Sequence, residues 1–190
     1  MKSKEQLEDE LLILQASNGN TTAFAGLIQR WTPKLYYYIK KLVIHECDVD
    51  DILQNVWICL YRTLGDIRDI SQYRVFLFAI ARSKAIDYLR RKKRRMFVEF
   101  SMDFSQEQIL EQDVVEDCVD VEKLHLALDC IDVSMRDILT LYYLQEFSIA
   151  ELAAILRIPE GTVKSKLYYA RKALRKEMEN YDNASSRTKQ

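Results

Sequence analysis

Apolar residues recur along most of the chain at steps of three and four, the spacing that lays one side of an α-helix against a core. Leu7, Leu11 and Leu14 begin the series, and Phe24, Leu27, Ile28, Trp31, Leu35, Tyr38, Ile39 and Leu42 continue it. Between them Asn18-Gly19-Asn20, a turn-forming triplet, divides two helices. A further helix is predicted from about 49 to 64, with Ile52, Leu53, Val56, Trp57 and Leu60 inward. Its other side carries Asp51, Gln54, Asn55, Ile58 and Arg62, a mixed face rather than a purely charged one. Residues 65–73 break the pattern, and a long helix over about 74–95 then carries Phe76, Leu77, Ile80, Ala81, Ile86 and Leu89. These segments together close a helical core.

The segment 147–175 reads as two helices joined by a tight turn. Ile149, Leu152, Ala153 and Leu156 form one apolar stripe, Ser148 is placed to cap it with Glu151 three residues on, and Arg157-Ile158-Pro159-Glu160-Gly161 interrupts the period. A second helix starts near Gly161. Val163, Leu167, Ala170 and Leu174 face the first helix, which leaves Lys164, Ser165, Tyr168, Tyr169 and Lys172 outward or flanking. In a helix-turn-helix the start of the second helix enters the major groove, where Lys and hydroxyl side chains reach base edges and phosphates. An ordinary helical hairpin with a solvated basic face fits the same pattern.

Composition narrows the class. The chain of 190 residues is 48% hydrophobic with only 4 Gly and 2 Pro, which favours helices over turn-rich folds. Charged residues make up 30%, yet the formal net charge is −1, so any nucleic-acid role rests on where the charges lie. Arg82, Lys84 and the run Arg90-Arg91-Lys92-Lys93-Arg94-Arg95 are opposed only by Asp87, whereas Glu99, Asp103, Glu107, Glu111, Asp113, Glu116, Asp117, Asp120 and Glu122 follow with no Lys or Arg among them until Lys123. The basic end of the helix suits a phosphate backbone, or is a solvated terminus whose cations complement the helix dipole. The acidic stretch lacks an apolar stripe and reads as a linker. The chain thus divides into a helical domain over 1–95, a linker over 96–119, a helical domain with the helix-turn-helix over 120–178 and a polar tail over 179–190.

Cys47, Cys59, Cys118 and Cys130 form no CxxC pair, and no His stands at metal-finger spacing, so no metal site is expected. Asp48, Asp50 and Asp51 with Glu46 read as helix-capping carboxylates rather than cation ligands. The thiols are expected to be buried and structural, in a reduced cytoplasmic setting. The amino-terminal residues lack an export pattern, and no stretch approaches the about 20 apolar residues of a membrane span. His45 and His125 have no Ser, Cys or carboxylate arrangement for catalysis, and no glycine loop cradles a phosphate. An enzyme, and a cofactor, are therefore not expected.

Three segments combine: DVDDILQNVW at 48–57, FLFAIARSKAIDYLRR at 76–91 and ELAAILRIPEGTVKSKLYYARKAL at 151–174. In this order they resemble the small bacterial sigma factors of the extracytoplasmic-function type, over nearly the whole chain. The resemblance implies two helical domains that bind core RNA polymerase and direct it to promoters, with a short linker between them. It implies docking on the clamp helices of the largest polymerase subunit through Asp51, Gln54, Asn55, Ile58 and Tyr61, with Asn55 standing where many relatives carry Glu. It also implies recognition and opening of the start-proximal (minus-ten) element by the 66–73 loop, including Ile70, Ser71 and Tyr73, and by Ser83, Lys84, Asp87, Tyr88 and Arg91. Ser83 stands where many relatives have Asn. Phe76 and Phe78 are either strand-melting aromatics or core, and helical spacing places Phe76 in the core.

The upstream (minus-thirty-five) element is assigned by the same resemblance to Lys164, Ser165, Tyr168 and Tyr169, with Thr162, Arg171 and Lys172 on phosphates. Tyr142 lies where relatives often place an Arg that touches DNA. Leu139, Leu141 and Leu144 either pack or meet the polymerase flap. The acidic linker either imitates RNA in the exit channel or only tethers. An anti-sigma factor is a further implied partner. The competing reading is a freestanding helix-turn-helix regulator, which has no need for DVDDILQNVW followed by FLFAIARSKAIDYLRR.

Overall fold

The computed structural model describes residues 4–43, 47–67, 69–100 and 119–187, and every regular element among them is helical. In chain order these are α1 (Lys4–Ser17), α2 (Thr21–Leu42), α3 (Cys47–Thr63), two 3-10 turns at Leu64–Asp66 and Ile70–Gln72, and α4 (Tyr73–Phe100). Then come α5 (Val119–Cys130), α6 (Val133–Leu139) running into a π-helical turn at Thr140–Leu144, α7 (Ile149–Leu156) and α8 (Glu160–Arg187). Asn20 starts α2 by accepting the Ala23 N–H at 3.0 Å, and Gly19 takes the positive φ that turns the chain out of α1. Two predicted ends move. α4 passes Arg95 to Phe100, and α8 runs through most of the stretch read as a polar tail, since neither extension contains a Gly or Pro to stop it. Residues 101–118, most of the acidic stretch, lie outside the described residues.

Leu27, Trp31, Leu35, Tyr38 and Leu42 of α2 meet Val49, Ile52, Leu53, Val56 and Leu60 of α3 and Leu77, Phe78, Ala81 and Ala85 of α4 in the first core. The same buried cluster continues into the second half through Leu128, Ile138, Leu139, Leu141, Leu152, Ile155, Val163, Leu167 and Ala170. Leu139 and Leu141 therefore pack.

Helix α1 presents an unexpected side to that core. Leu7, Leu11 and Leu14 are 54%, 54% and 47% exposed, whereas Asp9, Ile13 and Ala16 are buried. Polar bonding decides the orientation. Arg30 Nε lies 2.7 Å from the Asp9 carboxylate, Trp31 Nε1 donates to it at 3.3 Å, and the Tyr73 hydroxyl donates to its other oxygen. Burial, and then the bond to Asp9, push the Tyr73 hydroxyl well above the usual phenol range.

The two halves also pack on each other, which nothing in the residue pattern marks. Phe78 of α4 meets Phe147, just before α7, edge to face at 5.0 Å between centroids. The buried Asp137 of α6 accepts hydrogen bonds from the Tyr38 hydroxyl and from Arg82 Nε, each at 2.7 Å. Arg74 donates to the Gln145 carbonyl at 2.7 Å with its guanidinium over the Phe147 ring, and Arg136 donates to the Lys41 carbonyl at 3.1 Å. Arg82 is thus a partner of Asp137 and faces the second half, apart from the basic run at 90–95.

The thiols do not follow expectation. Cys47 and Cys130 are exposed and Cys59 is half-buried, because the first two sit at the ends of α3 and α5, outside the apolar stripes. Cys118 lies outside the described residues.

Candidate functional site

Three surfaces gather the predicted residues. On α3, Asp51, Gln54, Asn55, Ile58 and Tyr61 recur at helical spacing and all are exposed. Carboxylate, amide and apolar groups alternate there, a mixture suited to a protein partner. Asn55 is turned back on its own helix, its side-chain amide donating to the Asp51 carbonyl at 2.7 Å. Tyr61 packs edge-on against Phe24 at 5.1 Å, and Phe24 meets Trp57 at 6.3 Å. This aromatic ledge beside the α3 face joins α2 to α3. Trp57, an inward position by its spacing, is half-buried, and two aromatics four residues apart, Trp57 and Tyr61, at the border of the outward stripe are the sequence signal for the ledge.

The second surface lies on α4 and the turns before it. Ser83, Asp87 and Arg91 are exposed, and Lys84 and Tyr88 are half-buried. Lys92 bridges toward α3, 3.6 Å from Asp48 and over the Tyr88 ring at 6.0 Å. In the preceding turn Ser71 is exposed and its hydroxyl donates to Asp69 at 2.6 Å, while Ile70 packs partly against the core. Tyr73, expected at the DNA surface, is instead 3% exposed, its ring edge-on to Trp31 and its hydroxyl held by Asp9, so that it supports the turn from inside. Phe78 is likewise wholly buried between the halves, and it is Phe76 that is half-buried.

The third surface is the helix-turn-helix. Ser148 and Glu151 form a reciprocal capping box, the Ser148 hydroxyl accepting the Glu151 N–H at 3.3 Å while the Glu151 carboxylate accepts the Ser148 N–H at 2.8 Å. Arg157 ends α7 in the left-handed region at φ 55°, and its N–H returns to the Ala153 carbonyl. An L-residue there costs roughly 1–2 kcal/mol, a local strain the surrounding turn holds in place. Pro159 then opens α8 by accepting the N–H groups of Thr162 and Val163. The result is a fixed angle between α7 and α8, with Val163, Leu167 and Ala170 inward and Thr162, Lys164, Ser165, Tyr168, Tyr169, Arg171 and Lys172 all exposed. Arg171 is flanked by the rings of Tyr142 and Tyr143, its guanidinium 5.5 Å from each centroid. Those tyrosines steady the side chain expected on a phosphate, a role the pattern did not disclose.

Among the described residues no three His, Cys, Asp or Glu side chains gather as metal ligands, and no helix is long and apolar enough to cross a membrane. His125 faces the Tyr37 hydroxyl at 3.3 Å, and burial lowers its pKa. His45 and Glu46 lie outside the described residues.

The same division recurs in known proteins. A family model described as Sigma-70 region 2 matches residues 27–95, and one described as Sigma-70, region 4 matches residues 122–174. The chain is 26% identical over 176 residues to the ECF RNA polymerase sigma factor SigW of Bacillus subtilis (strain 168), covering 87% of this chain and 94% of that protein. It is 28% identical over 180 residues to the ECF RNA polymerase sigma-E factor of Escherichia coli (strain K12), covering 90% and 94%. In fold it is similar to CnrH, solved with the cytosolic domain of CnrY, at a TM-score of 0.66 and 24% identity over 91% of this chain and 98% of that one. It is similar also to the sigma factor RpoE of Bartonella quintana, solved with the anti-sigma factor NepR, at a TM-score of 0.68 and 20% identity over 82% and 96%.

Proposed function

Because the chain belongs to the sigma-70 family, as a sigma factor of the extracytoplasmic-function type, we propose that it binds core RNA polymerase through the outer face of α3 and directs it to promoters read by α4 and α8. The observation that carries this reading is the succession of region 2 and region 4 on one chain, with α8 exposing every assigned reading side chain. The region 2 half, 1–95, docks and opens the start-proximal element. The 96–119 stretch links it to the region 4 half, 120–178, which recognises the upstream element. The chain is a non-catalytic specificity subunit acting in the cytoplasm. A freestanding regulator would leave the α3 face without a use. The clamp helices and flap of the polymerase, promoter DNA and an anti-sigma factor make up the partners in this reading.

In vitro transcription by purified core polymerase with and without the chain, on genomic DNA with the starts mapped, tests the whole assignment. Starts that appear only when the chain is added are expected; their absence removes it. Lys164→Ala and Tyr168→Ala should each fold normally and reduce initiation roughly five- to a hundredfold on matched promoters, the range of one lost major-groove contact. Normal transcription by both from a promoter shown to need its upstream element would refute the α8 assignment.

Ser83 is exposed on α4, beside the Lys84 and Asp87 positions. A hydroxyl offers fewer hydrogen-bonding groups than an amide and reaches less far. Ser83→Asn is therefore expected to change base preference at one or two start-proximal positions without altering polymerase affinity. Initiation on a library of single-base promoter variants measures this, and an unchanged profile would take Ser83 out of the reading set.

A further inference from the structure

Arg30, Arg74, Arg82 and Arg136 are the half-buried arginines among the described residues. Arg30 meets the carboxylate of Asp9, Arg82 that of Asp137 and Arg136 that of Asp129. Arg74 alone of this set has no carboxylate partner among the described residues. Its guanidinium lies over the Phe147 ring and donates to the Gln145 carbonyl, and its Nε–H is buried without an acceptor. A cation drawn partly out of water is ordinarily paired, because its lost hydration must be offset. Beside Arg74 a cavity of about 340 Å³ opens between α2 and the turn that follows the π-helical segment, a volume in the range of small-molecule sites. Lys34 also lines it, with its ammonium 4.7 Å from the centre of the Trp31 ring and, like Arg74, no carboxylate partner among the described residues.

We infer that this cavity binds a small phosphate monoester, held by Lys34 and Arg74 and selected by Glu146 at the rim. Charge sets the class of ligand. Two cations without carboxylates match the charge of about −1.5 to −2 on a phosphate monoester at neutral pH, whereas a carboxylate would leave one of them uncompensated. The phosphate's three acceptor oxygens can meet the lysine's point charge and the arginine's remaining N–H groups together. Beyond the anion, Pro33, Leu144 and the Tyr37 ring offer apolar wall, since the Tyr37 hydroxyl is engaged 3.3 Å from His125 Nδ1. The exposed Glu146 carboxylate accepts a hydroxyl or amine of the organic part and repels a longer polyanion, which disfavours nucleic acid and polyphosphate. Backbone geometry agrees. Glu146 takes φ 56°, the left-handed region, directly after Gln145 caps the π-helical turn Thr140–Leu144, and irregular backbone of this kind collects at ligand sites. The cavity is separate from the three surfaces described above, none of whose assigned side chains lines it.

The test titrates the full chain with inorganic phosphate as the minimal probe and with ribose 5-phosphate and adenosine monophosphate, using adenosine as the control without phosphate. Calorimetry should give one saturable phosphate site per chain, tighter binding of at least one monoester, and no binding of adenosine. In nuclear magnetic resonance the Gln145 and Glu146 amide signals should move along the same titration. Lys34→Ala should weaken phosphate roughly tenfold, the loss of one charge-assisted hydrogen bond, and Lys34→Arg should restore most of it. Lys34 is exposed, so both variants should keep native helix content. Glu146→Gln should leave the monoester bound and admit tripolyphosphate severalfold more tightly. Phosphate that binds Lys34→Ala as well as it binds the wild type, without moving the 145 and 146 amides, would sit on the basic run at 90–95 and overturn the site. The absence of any saturable phosphate binding would overturn it equally. Tripolyphosphate bound no better by Glu146→Gln would remove Glu146 from the selection. None of these readouts involves polymerase or promoter DNA, so each outcome stands apart from the function proposed above.

Discussion

Replacing Asp9 with alanine should destabilise the chain by about 3–5 kcal/mol, the summed cost of leaving the buried Trp31 and Tyr73 donors without an acceptor at roughly 1–3 kcal/mol each, while Arg30 keeps Glu8 at 2.9 Å. Asp9 is 4% exposed and is the common acceptor for Arg30, Trp31 and the Tyr73 hydroxyl. Its loss orphans two donors that face the interior and removes the bond that fixes α1 against α2 and the start of α4. For a chain of this size each kcal/mol moves the melting temperature by about 2–4 °C, so a fall of roughly 6–20 °C is expected. Leu11→Ser, on the side of α1 turned away from the buried Asp9 and Ile13, should change stability by no more than about 0.5 kcal/mol, because its side chain is already exposed. Thermal melts followed by circular dichroism check both. An Asp9→Ala variant melting with the wild type would show that α1 is held by other contacts.

The second large effect concerns the α3 face. Asp51→Lys combined with Gln54→Ala reverses one charge and removes one hydrogen-bonding amide from neighbouring exposed positions. At the centre of a protein interface such changes cost about 2 kcal/mol or more, or at least roughly thirtyfold in affinity. Core-polymerase binding and promoter-specific transcription should therefore fall together. Neither side chain supports the core, so the variant should melt like the wild type, and its salt-dependent affinity for upstream DNA should be unaltered. A folded double variant that retains full polymerase affinity in a pull-down would sink the docking assignment.

The helices and the outward side of α8 were legible in the residue pattern because each depends on neighbours in sequence. A capping box is written within four residues, and the Val163, Leu167 and Ala170 stripe fixes which side chains are left outside. Periodicity reports which residues share a side of a helix but not what covers that side. Leu7, Leu11 and Leu14 make a better apolar stripe than the side that is buried, and the choice falls to one carboxylate whose donors lie 22 and 64 residues away. Tyr73 reads as a loop aromatic in the sequence for the same reason. The ring is aimed by Trp31 and Asp9, neither of which stands near it in the chain. Phe78 and Phe147 become neighbours only when the halves meet, across a stretch whose acidic composition suggested separation.

The Asp137 cluster also bears on inheritance. Tyr38 and Arg82 lie in one half and Asp137 in the other, so the two halves are not interchangeable parts. A recombinant that kept this first half and took its second from a relative lacking the carboxylate would strand two donors. The reciprocal graft would strand a buried anion, the worse of the two mismatches. Domain shuffling among such proteins is thus filtered at three positions before any question of promoter choice arises, and a hybrid built in the laboratory is best designed by moving Tyr38, Arg82 and Asp137 as one unit.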